Sequence, residues 1–319
     1  MLHIPTQSPG APVLVGRWQQ DEDFPVFPVG SKPKRMLICP DDATEPYLIK
    51  GHAYLFKTAI GWQAQQIWSE VIAYRLGALI GLPVPPAFIA VDERTGDTGV
   101  LVEFFYGYPG ETEPARLIHG SDLMTRILAD KKRGRPHVVP RNIIICRAFV
   151  GQESAVEWWA QALAFDALIG NTDRHPENWG FLIRHSKIAP PTFQIAPLFD
   201  NGTSLGYELP EAKLEAIIEG NRLNTYIKRG THHCGWDLRN DRPEHHFDLC
   251  TRFLTTYRET SVQIENVIRF DMAQVEAILN ECARFEVGVP FTSRRAKFVA
   301  ALINARRDLL QRLLAESND

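Results

Sequence analysis

Residues 164–200 read AFDALIGNTDRHPENWGFLIRHSKIAPPTFQIAPLFD, and this stretch decides the fold. Its apolar opening is typical of a helix that ends at Gly170, and the polar loop NTDRHPEN follows. WGFLI then has the composition of a strand, and a second apolar run closes with Asp200. The stretch therefore predicts a helix, a polar loop and two strand-like runs, with acidic and amide side chains held at the strand ends.

Three of these side chains have the chemistry that phosphoryl transfer requires. The reaction needs a carboxylate that orients the acceptor hydroxyl, and oxygen ligands for the Mg²⁺ that neutralises a triphosphate. Asp173 can orient the hydroxyl, and Asn178 and Asp200 can bind the metal. The step from Asp173 to Asn178 equals the Asp-to-Asn step of the kinase catalytic loop H-R-D-x-x-x-x-N, and Asp200 follows as the aspartate of D-F-G does.

The motifs GNTDRHPENWG and APLFDNGTSL resemble the catalytic and metal-binding motifs of HipA-like protein kinases. The resemblance extends over about residues 29–230 and implies a bilobal, protein-kinase-like α+β fold with ATP and Mg²⁺ as cofactors. It implies Asp173 as the catalytic residue and a Ser or Thr of a bacterial protein as the acceptor. A growth-arresting, toxin-type role and an antitoxin or operon partner are further implications.

Upstream motifs resemble the nucleotide site of the same family. VGSKPK, residues 29–34, resembles the loop that covers the phosphates, which implies that Gly30, Ser31 and Lys34 contact the nucleotide. VEFF, residues 102–105, resembles the hinge between the lobes, where backbone groups of Glu103 and Phe105 would bind adenine.

Two lysines compete for the nucleotide. PYLIKG, residues 46–51, resembles the strand that carries the ATP lysine; Lys50 there belongs to an alternating strand pattern, whereas Lys57 lies in the turn-like KTAIG. We therefore expect Lys50 to bind the phosphates. Glu70, on the helix-like SEVIAYRLGALIGLPVP, is either the ion-pair partner of Lys50 or a solvated helix glutamate. His175 follows the proposed base and either approaches the phosphates or supports the loop.

The distribution of strand and helix signals divides the chain into two lobes. Short β-branched or aromatic runs predict strands at 36–40, 46–51, 86–92 and 99–105, and apolar spacing predicts a helix at 62–79. Helical patterns dominate afterwards, at 153–169, 243–257, 272–285 and 293–314. We predict an N-lobe at 1–105 and a C-lobe at 106–319.

Composition excludes several classes of protein. The 35 basic and 38 acidic residues give a formal charge of −3, so we expect no direct binding to nucleic acid. No stretch has the roughly 18 apolar residues of a membrane helix, and residues 1–12 do not resemble a signal peptide. Five widely spaced cysteines indicate a reducing compartment. A cytoplasmic protein without membrane contact is the expectation.

Three alternatives remain open. D-R-H-x-x-N also resembles phosphoinositide kinases, so a lipid or small molecule could be the acceptor. A nucleotide-binding scaffold without activity is the second alternative. The third is a zinc site, although the spacing fits no standard zinc motif; its residues would be His232, His233, Cys234, His245, His246 and Cys250.

Overall fold

The computed structural model describes residues 5–21, 34–113, 115–128, 137–186, 188–219, 222–240 and 242–318. Strands dominate the N-terminal part, and helices around a small second sheet dominate the rest. The fold class is therefore α+β, as predicted. The lobe boundary between residues 105 and 106 stays a prediction.

Six strands form the N-terminal sheet, in the order β1-β5-β6-β4-β3-β2. All neighbours are antiparallel except the short β1, which runs parallel to β5. β4 lies near the middle, paired with β3 on one side and β6 on the other, so its side chains have fixed directions. The strands are β1 (Val13–Leu14), β2 (Gln19–Gln20), β3 (Lys34–Ile38), β4 (Ala53–Thr58), β5 (Ala87–Asp92) and β6 (Asp97–Glu103).

One long helix, α1 (Gln66–Ile80), packs on this sheet and is buried over most of its surface. It ends at Gly81, whose φ of 75° is in the left-handed region that glycine adopts without a steric penalty. The indole nitrogen of Trp68 donates a hydrogen bond of 2.9 Å to the carbonyl of Val289, which ties α1 to the C-terminal part. The glutamate of this helix, Glu70, is consequently held in a fixed position.

The C-terminal part is built around α4 (Gln152–Ile169), whose second half is buried on every side. A helix that is apolar all round belongs in the centre of a domain. Strands β7 (Ala115–His119), β8 (Gly180–Arg184) and β9 (Thr192–Ile195) form the second sheet. The other helices are α2 (Gly120–Leu128), α3 (Val139–Val150), α5 (Leu214–Ile218), α6 (Arg222–Arg229), α7 (His246–Thr256), α8 (Ser261–Ile268), α9 (Met272–Cys282) and α10 (Ser293–Asn318).

All five cysteines are buried and unpaired. Within the described ranges, no helix is both long enough and apolar enough to cross a bilayer.

One predicted strand is wrong. Residues 46–51 form a turn, in which Tyr47 and Leu48 are both buried and therefore do not alternate as strand residues do. Turn hydrogen bonds hold this segment, from the Leu48 N–H to the Glu45 carbonyl and from the His52 N–H to the Ile49 carbonyl. The strand starts later, at Ala53, after a glycine with φ of 70°. The other three predicted strands and the five predicted helices are confirmed, with bounds that differ by a few residues.

Candidate active site

A polar loop, residues 171–179, connects the buried end of α4 to β8. Short backbone hydrogen bonds fold it tightly, from the His175 N–H to the Asp173 carbonyl and from the Asn178 N–H to the His175 carbonyl, both at 2.8 Å. At its end Gly180 lies against the β7 backbone, where a Cβ would collide with the carbonyl of Ile118. These contacts fix the backbone conformation of the loop and therefore the positions from which its side chains extend.

Asp173 and Asn178 are joined across this loop. The Asn178 amide nitrogen donates a hydrogen bond of 2.7 Å to the Asp173 carbonyl. That bond orients the amide, and its Oδ1 accepts no hydrogen bond within the described residues. The Asp173 carboxylate is 43% exposed, with Oδ2 3.9 Å from His175 Nε2 and Oδ1 3.5 Å from His233 Nδ1. The Asp173 carboxylate is thus accessible, and the buried Asn178 amide is tied to the backbone of the same residue.

A lysine and two acids from three separate segments meet in front of this loop. Lys57 Nζ, on β4, is 2.7 Å from Glu70 Oε1 on α1 and 3.0 Å from Asp200 Oδ1. Burial alone would lower the pKa of Lys57, but the carboxylates of Asp200 and Glu70 outweigh it and raise the pKa above its ordinary value. The lysine is therefore charged at every physiological pH, and we call these three residues the ion triad.

The expected ion pair between Lys50 and Glu70 is wrong, because Glu70 pairs with Lys57. Lys50 lies exposed in the 46–51 turn, away from Glu70 and Asp200. Glu70 forms the predicted ion pair, but with Lys57. The sequence signal for Lys57 was the run AYLFK, residues 53–57. Its aromatic and apolar residues are typical of a strand, and it follows the turn closely.

Asp200 has an unusual backbone conformation, with φ of 58°. Aspartate tolerates the left-handed region of backbone conformation better than most residues, but this conformation is seldom adopted unless neighbouring contacts stabilise it. The support comes from Asn201, whose side-chain amide donates to the Leu198 carbonyl at 2.8 Å and whose N–H donates to Glu70 Oε2 at 3.0 Å. Glu70 therefore holds Lys57 with one oxygen and the Asp200 turn with the other.

Arg174 is the structural centre beneath the loop. It is fully buried and forms a bidentate pair with Asp166 of α4, at 2.7 and 3.0 Å. It also donates to Asn201 Oδ1 at 2.7 Å and to the Phe199 carbonyl at 2.6 Å. Burial would raise the pKa of Asp166, but Arg174 and His232 lower it well below the ordinary value. This network fixes the loop relative to the Asp200 turn, and Asp166 and Asn201 were not predicted from sequence.

Histidines surround the loop but do not form a zinc site. His232 contacts Asp166 at 3.1 Å, His246 contacts the Asn171 carbonyl at 2.6 Å, and the Cys250 thiol donates to the Leu163 carbonyl. Across the described ranges, no three His, Cys, Asp or Glu side chains are grouped so that they could hold a metal ion. His175 lines the cleft, and burial lowers its pKa despite the nearby carboxylate of Asp173. It is therefore neutral at pH 7.

Of the other residues predicted to bind the nucleotide, some lie at the cleft and others do not. Lys34 begins β3, pairs in register with Lys57 and lines the same cleft. The Glu103 N–H donates to the Pro86 carbonyl at 2.8 Å, so that N–H is not available to adenine. The Phe105 ring stacks on Phe199 with centroids 5.3 Å apart, beside the Asp200 turn. Gly30 and Ser31 lie outside the described residues.

Most of the charged side chains described above line one cleft. Its lining combines two lysines, three acids and a neutral histidine with apolar side chains from the N-terminal part of the chain. The lining residues are Lys34, Lys57, Thr58, Ala59, Gln66, Ile67, Glu70, Val100, Asp173, His175, Asp200 and Gly202.

Fold and site together give this chain the architecture of the protein-kinase-like class. The chain belongs to the HipA-like C-terminal domain family, whose model matches residues 28–284. The resemblance seen in residues 170–180 and 196–205 is thereby confirmed.

Individual relatives agree with this assignment. The chain is 28% identical over 154 residues to the serine/threonine-protein kinase CtkA of Helicobacter pylori (strain J99 / ATCC 700824), a match over 47% of this chain and 43% of that protein. The match thus spans less than half of the curated relative.

Two solved structures share the fold. The crystal structure of the Helicobacter pylori proinflammatory kinase CtkA has a TM-score of 0.76 at 18% identity, with 97% of this chain and 99% of that chain covered. The HipA of Shewanella oneidensis MR-1, solved with HipB and operator DNA, has a TM-score of 0.55 at 15% identity, with 93% and 67% covered.

Proposed function

We propose that this chain is an ATP- and Mg²⁺-dependent kinase that phosphorylates Ser or Thr hydroxyls of a protein. The observation that carries the proposal is the ion triad, in which Lys57, Glu70 and Asp200 converge on the cleft that Asp173 also lines. Structural ion pairs seldom gather a lysine and three acids in an open cleft, whereas a triphosphate with its metal requires such a set. Membership of the family and the similarity to a serine/threonine-protein kinase support the same conclusion.

The residues present fit a nucleotide and its metal. Lys57 and Lys34 supply positive charge for phosphate oxygens, and the hinge at Phe105 lies beside the cleft. The Asn178 Oδ1 and the Asp200 carboxylate are hard oxygen ligands, and Mg²⁺ in nucleotide sites usually takes one or two such ligands together with substrate phosphates. Bound there, Mg²⁺ would neutralise the charge that develops on the transferred phosphoryl group.

The roles of the other residues follow from their contacts. Asp173 accepts a hydrogen bond from the acceptor hydroxyl and takes its proton as the bond from that oxygen to the γ-phosphorus of ATP forms. The bond from the γ-phosphorus to the bridging oxygen breaks in the same transfer, and ADP leaves. The neutral His175 ring and the His233 ring, at 3.9 and 3.5 Å from the two carboxylate oxygens, limit the orientations of that carboxylate. Arg174 fixes the position of the loop relative to the Asp200 turn through its hydrogen bonds to Asp166 and Asn201.

The test compares the wild-type chain, Asp173→Asn and the matched control Asp42→Asn, whose aspartate is exposed in a distant turn. Each is incubated with γ-labelled ATP and Mg²⁺ together with either bacterial lysate proteins or phosphoinositide vesicles. We expect label on Ser and Thr of proteins, lost in Asp173→Asn and kept in Asp42→Asn. Label on lipid alone would support the lipid-kinase alternative, and the absence of any Asp173-dependent label on protein or lipid would favour the scaffold alternative.

We also propose a growth-regulating role in a bacterial cytoplasm, with an antitoxin partner. The support is the similarity to a HipA that was solved with HipB and operator DNA. Expression of wild type and Asp173→Asn in a bacterial host tests this role. Arrest by the wild type alone would agree with it, and equal growth of both cultures would contradict it.

A further inference from the structure

Two large apolar side chains are exposed on the loop that joins β4 to α1. Ile60 is 81% exposed and Trp62 is 65% exposed. The Trp62 indole stacks on the Tyr207 ring, with centroids 5.9 Å apart and planes at 30°. We call Ile60, Trp62 and Tyr207 the apolar platform. A tryptophan held by a second ring, yet open to water on its other side, offers a rigid surface for another apolar group.

The apolar platform is continuous with the cleft. Ala59, the residue before Ile60, lines the cleft together with Asp173. Tyr207 lies close to the same carboxylate: burial raises its pKa, the Gln66 amide opposes that effect, and the charges of Glu208 and Asp173 raise it further. The platform therefore adjoins the part of the cleft where an acceptor hydroxyl would meet Asp173.

A buried amide at the same place has no partner. Gln66, in the first turn of α1, is 3% exposed and lines the cleft, but neither Nε2 nor Oε1 has a hydrogen-bond partner in the part of the chain that the structure describes. The Tyr207 side chain is near enough for the Gln66 amide to lower its pKa, so it can satisfy at most one of the two amide atoms. Buried polar side chains are nearly always paired in folded proteins, so this amide retains a group for a partner from outside. One donor and one acceptor together match the C=O and N–H of a peptide backbone.

We propose that the apolar platform binds the substrate segment that carries the phosphorylated hydroxyl. An apolar side chain of that segment packs on Trp62, and its backbone pairs with Gln66 after a side-chain rotation of the kind that is common at binding surfaces. The inference rests on the proposed function and names the substrate class more closely: an extended Ser- or Thr-containing segment with an apolar residue near the acceptor.

The size of the platform favours this occupant over a second copy of the chain. Its exposed area is on the order of 300 Å², whereas a stable dimer buries about 800 Å² on each partner. One apolar side chain from a transiently bound peptide fits such an area.

The test uses a proteome-derived mixture of dephosphorylated peptides as substrate for three chains: wild type, Trp62→Ala and Ile188→Ala. Ile188 is 97% exposed, between β8 and β9, and serves as the control for loss of an exposed apolar side chain. For wild type we expect about tenfold selection of Leu, Ile, Met or Phe over Asp or Ser at one position near the acceptor. Trp62→Ala reduces this selection to less than twofold, and Ile188→Ala retains it.

Gln66→Ala is the second variant. The loss of backbone pairing should raise the KM for a selected peptide about three- to tenfold, which is the range of one or two neutral hydrogen bonds. The KM for ATP should rise by a smaller factor, because Lys57 and Lys34 hold the phosphates. If the KM for ATP rose by as large a factor as the KM for the peptide, a role of Gln66 in binding the peptide backbone would be contradicted.

The remaining outcomes separate the two proposals. Flat selection by wild type, selection that survives in Trp62→Ala, or labelling of folded proteins but of no peptide would each overturn the inference while Asp173-dependent labelling leaves the proposed function intact. Self-association of the wild type that Trp62→Ala abolishes would also overturn it, since the platform would then join two copies. Absence of all Asp173-dependent transfer would overturn both.

Discussion

Replacement of Lys57 by Met should remove nearly all phosphoryl transfer, while Lys50→Met should leave the rate unchanged. Each contact of Lys57 in the ion triad, at 2.7 and 3.0 Å, corresponds to a Coulomb attraction of about 6 kcal/mol at an effective dielectric constant of about 20. The Asp200 side chain is 42% exposed, so water screens that contact. Desolvation cancels a further part, which leaves a loss of about 3–4 kcal/mol when the charge is removed.

The same charge would act on the phosphates in the transition state. Since about 1.4 kcal/mol corresponds to a tenfold change in rate, the loss predicts a fall in kcat/KM of roughly 10²- to 10³-fold. The assay is the initial rate of Asp173-dependent transfer from γ-labelled ATP, measured over a range of ATP concentrations. Methionine keeps the length of the lysine stem, so packing changes little.

Stability provides an independent measurement. Lys57→Met leaves the Glu70 carboxylate buried without its cation, so the free energy of unfolding should fall. The double variant Lys57→Met/Glu70→Gln should regain part of that stability but none of the activity. If Lys50→Met lost as much activity as Lys57→Met, or if Lys57→Met kept more than a tenth of the rate, the assignment of the nucleotide lysine to β4 would be refuted.

Three further predictions concern the metal, the buried network and pH. Asp200→Asn should raise the Mg²⁺ concentration for half-maximal transfer about tenfold or more, measured by Mg²⁺ titration against Asp42→Asn; an unchanged titration would exclude Asp200 as a ligand. Arg174→Ala should lower the free energy of unfolding in urea by about 3–5 kcal/mol, because Asp166 stays buried and charged without its partner. The double variant Arg174→Ala/Asp166→Ala should recover part of the lost free energy of unfolding. If the losses of the two single variants simply added in the double variant, the pairing of Arg174 with Asp166 would be contradicted. Burial, with a smaller contribution from His233, lowers the pKa of His137. The unfolded chain therefore binds its proton more readily, so the contribution of His137 to the free energy of unfolding should fall by about 1 kcal/mol per pH unit below pH 6.5. Burial lowers the pKa of His246 to about 3, so this residue adds to the same slope. His137→Gln should therefore reduce the slope without removing it, in urea titrations at pH 7.5 and 5.5.

The catalytic loop was predictable because its information is local. Asp173 and Asn178 belong to one short loop, and their spacing follows from backbone hydrogen bonds between neighbours. The lysine that pairs with Glu70 was not predictable in the same way, because two adjacent segments both carry apolar runs that end in lysine. Only the pairing of β4 with β3 and β6 decides between them, and such pairing joins residues that are far apart in sequence.

The network beneath the loop was missed for a similar reason. Asp166 lies in an apolar helical segment, and nothing in its spacing shows that a fully buried arginine is its partner. A charged residue in the middle of AFDALIG was the available signal, because such a residue is seldom buried without an opposite charge. The histidines at 232 and 233 were grouped with a zinc alternative, whereas their contacts are with the carboxylates of Asp166 and Asp173.

The divided use of the Glu70 carboxylate has a mechanical consequence. One oxygen holds the β4 lysine and the other holds the N–H of Asn201, so any outward movement of α1 breaks both contacts together. Lys57 and the Asp200 turn therefore lose their contacts with Glu70 at the same time. A ligand that wedges between α1 and the sheet would therefore disable the protein at partial displacement, with no half-active intermediate on the way.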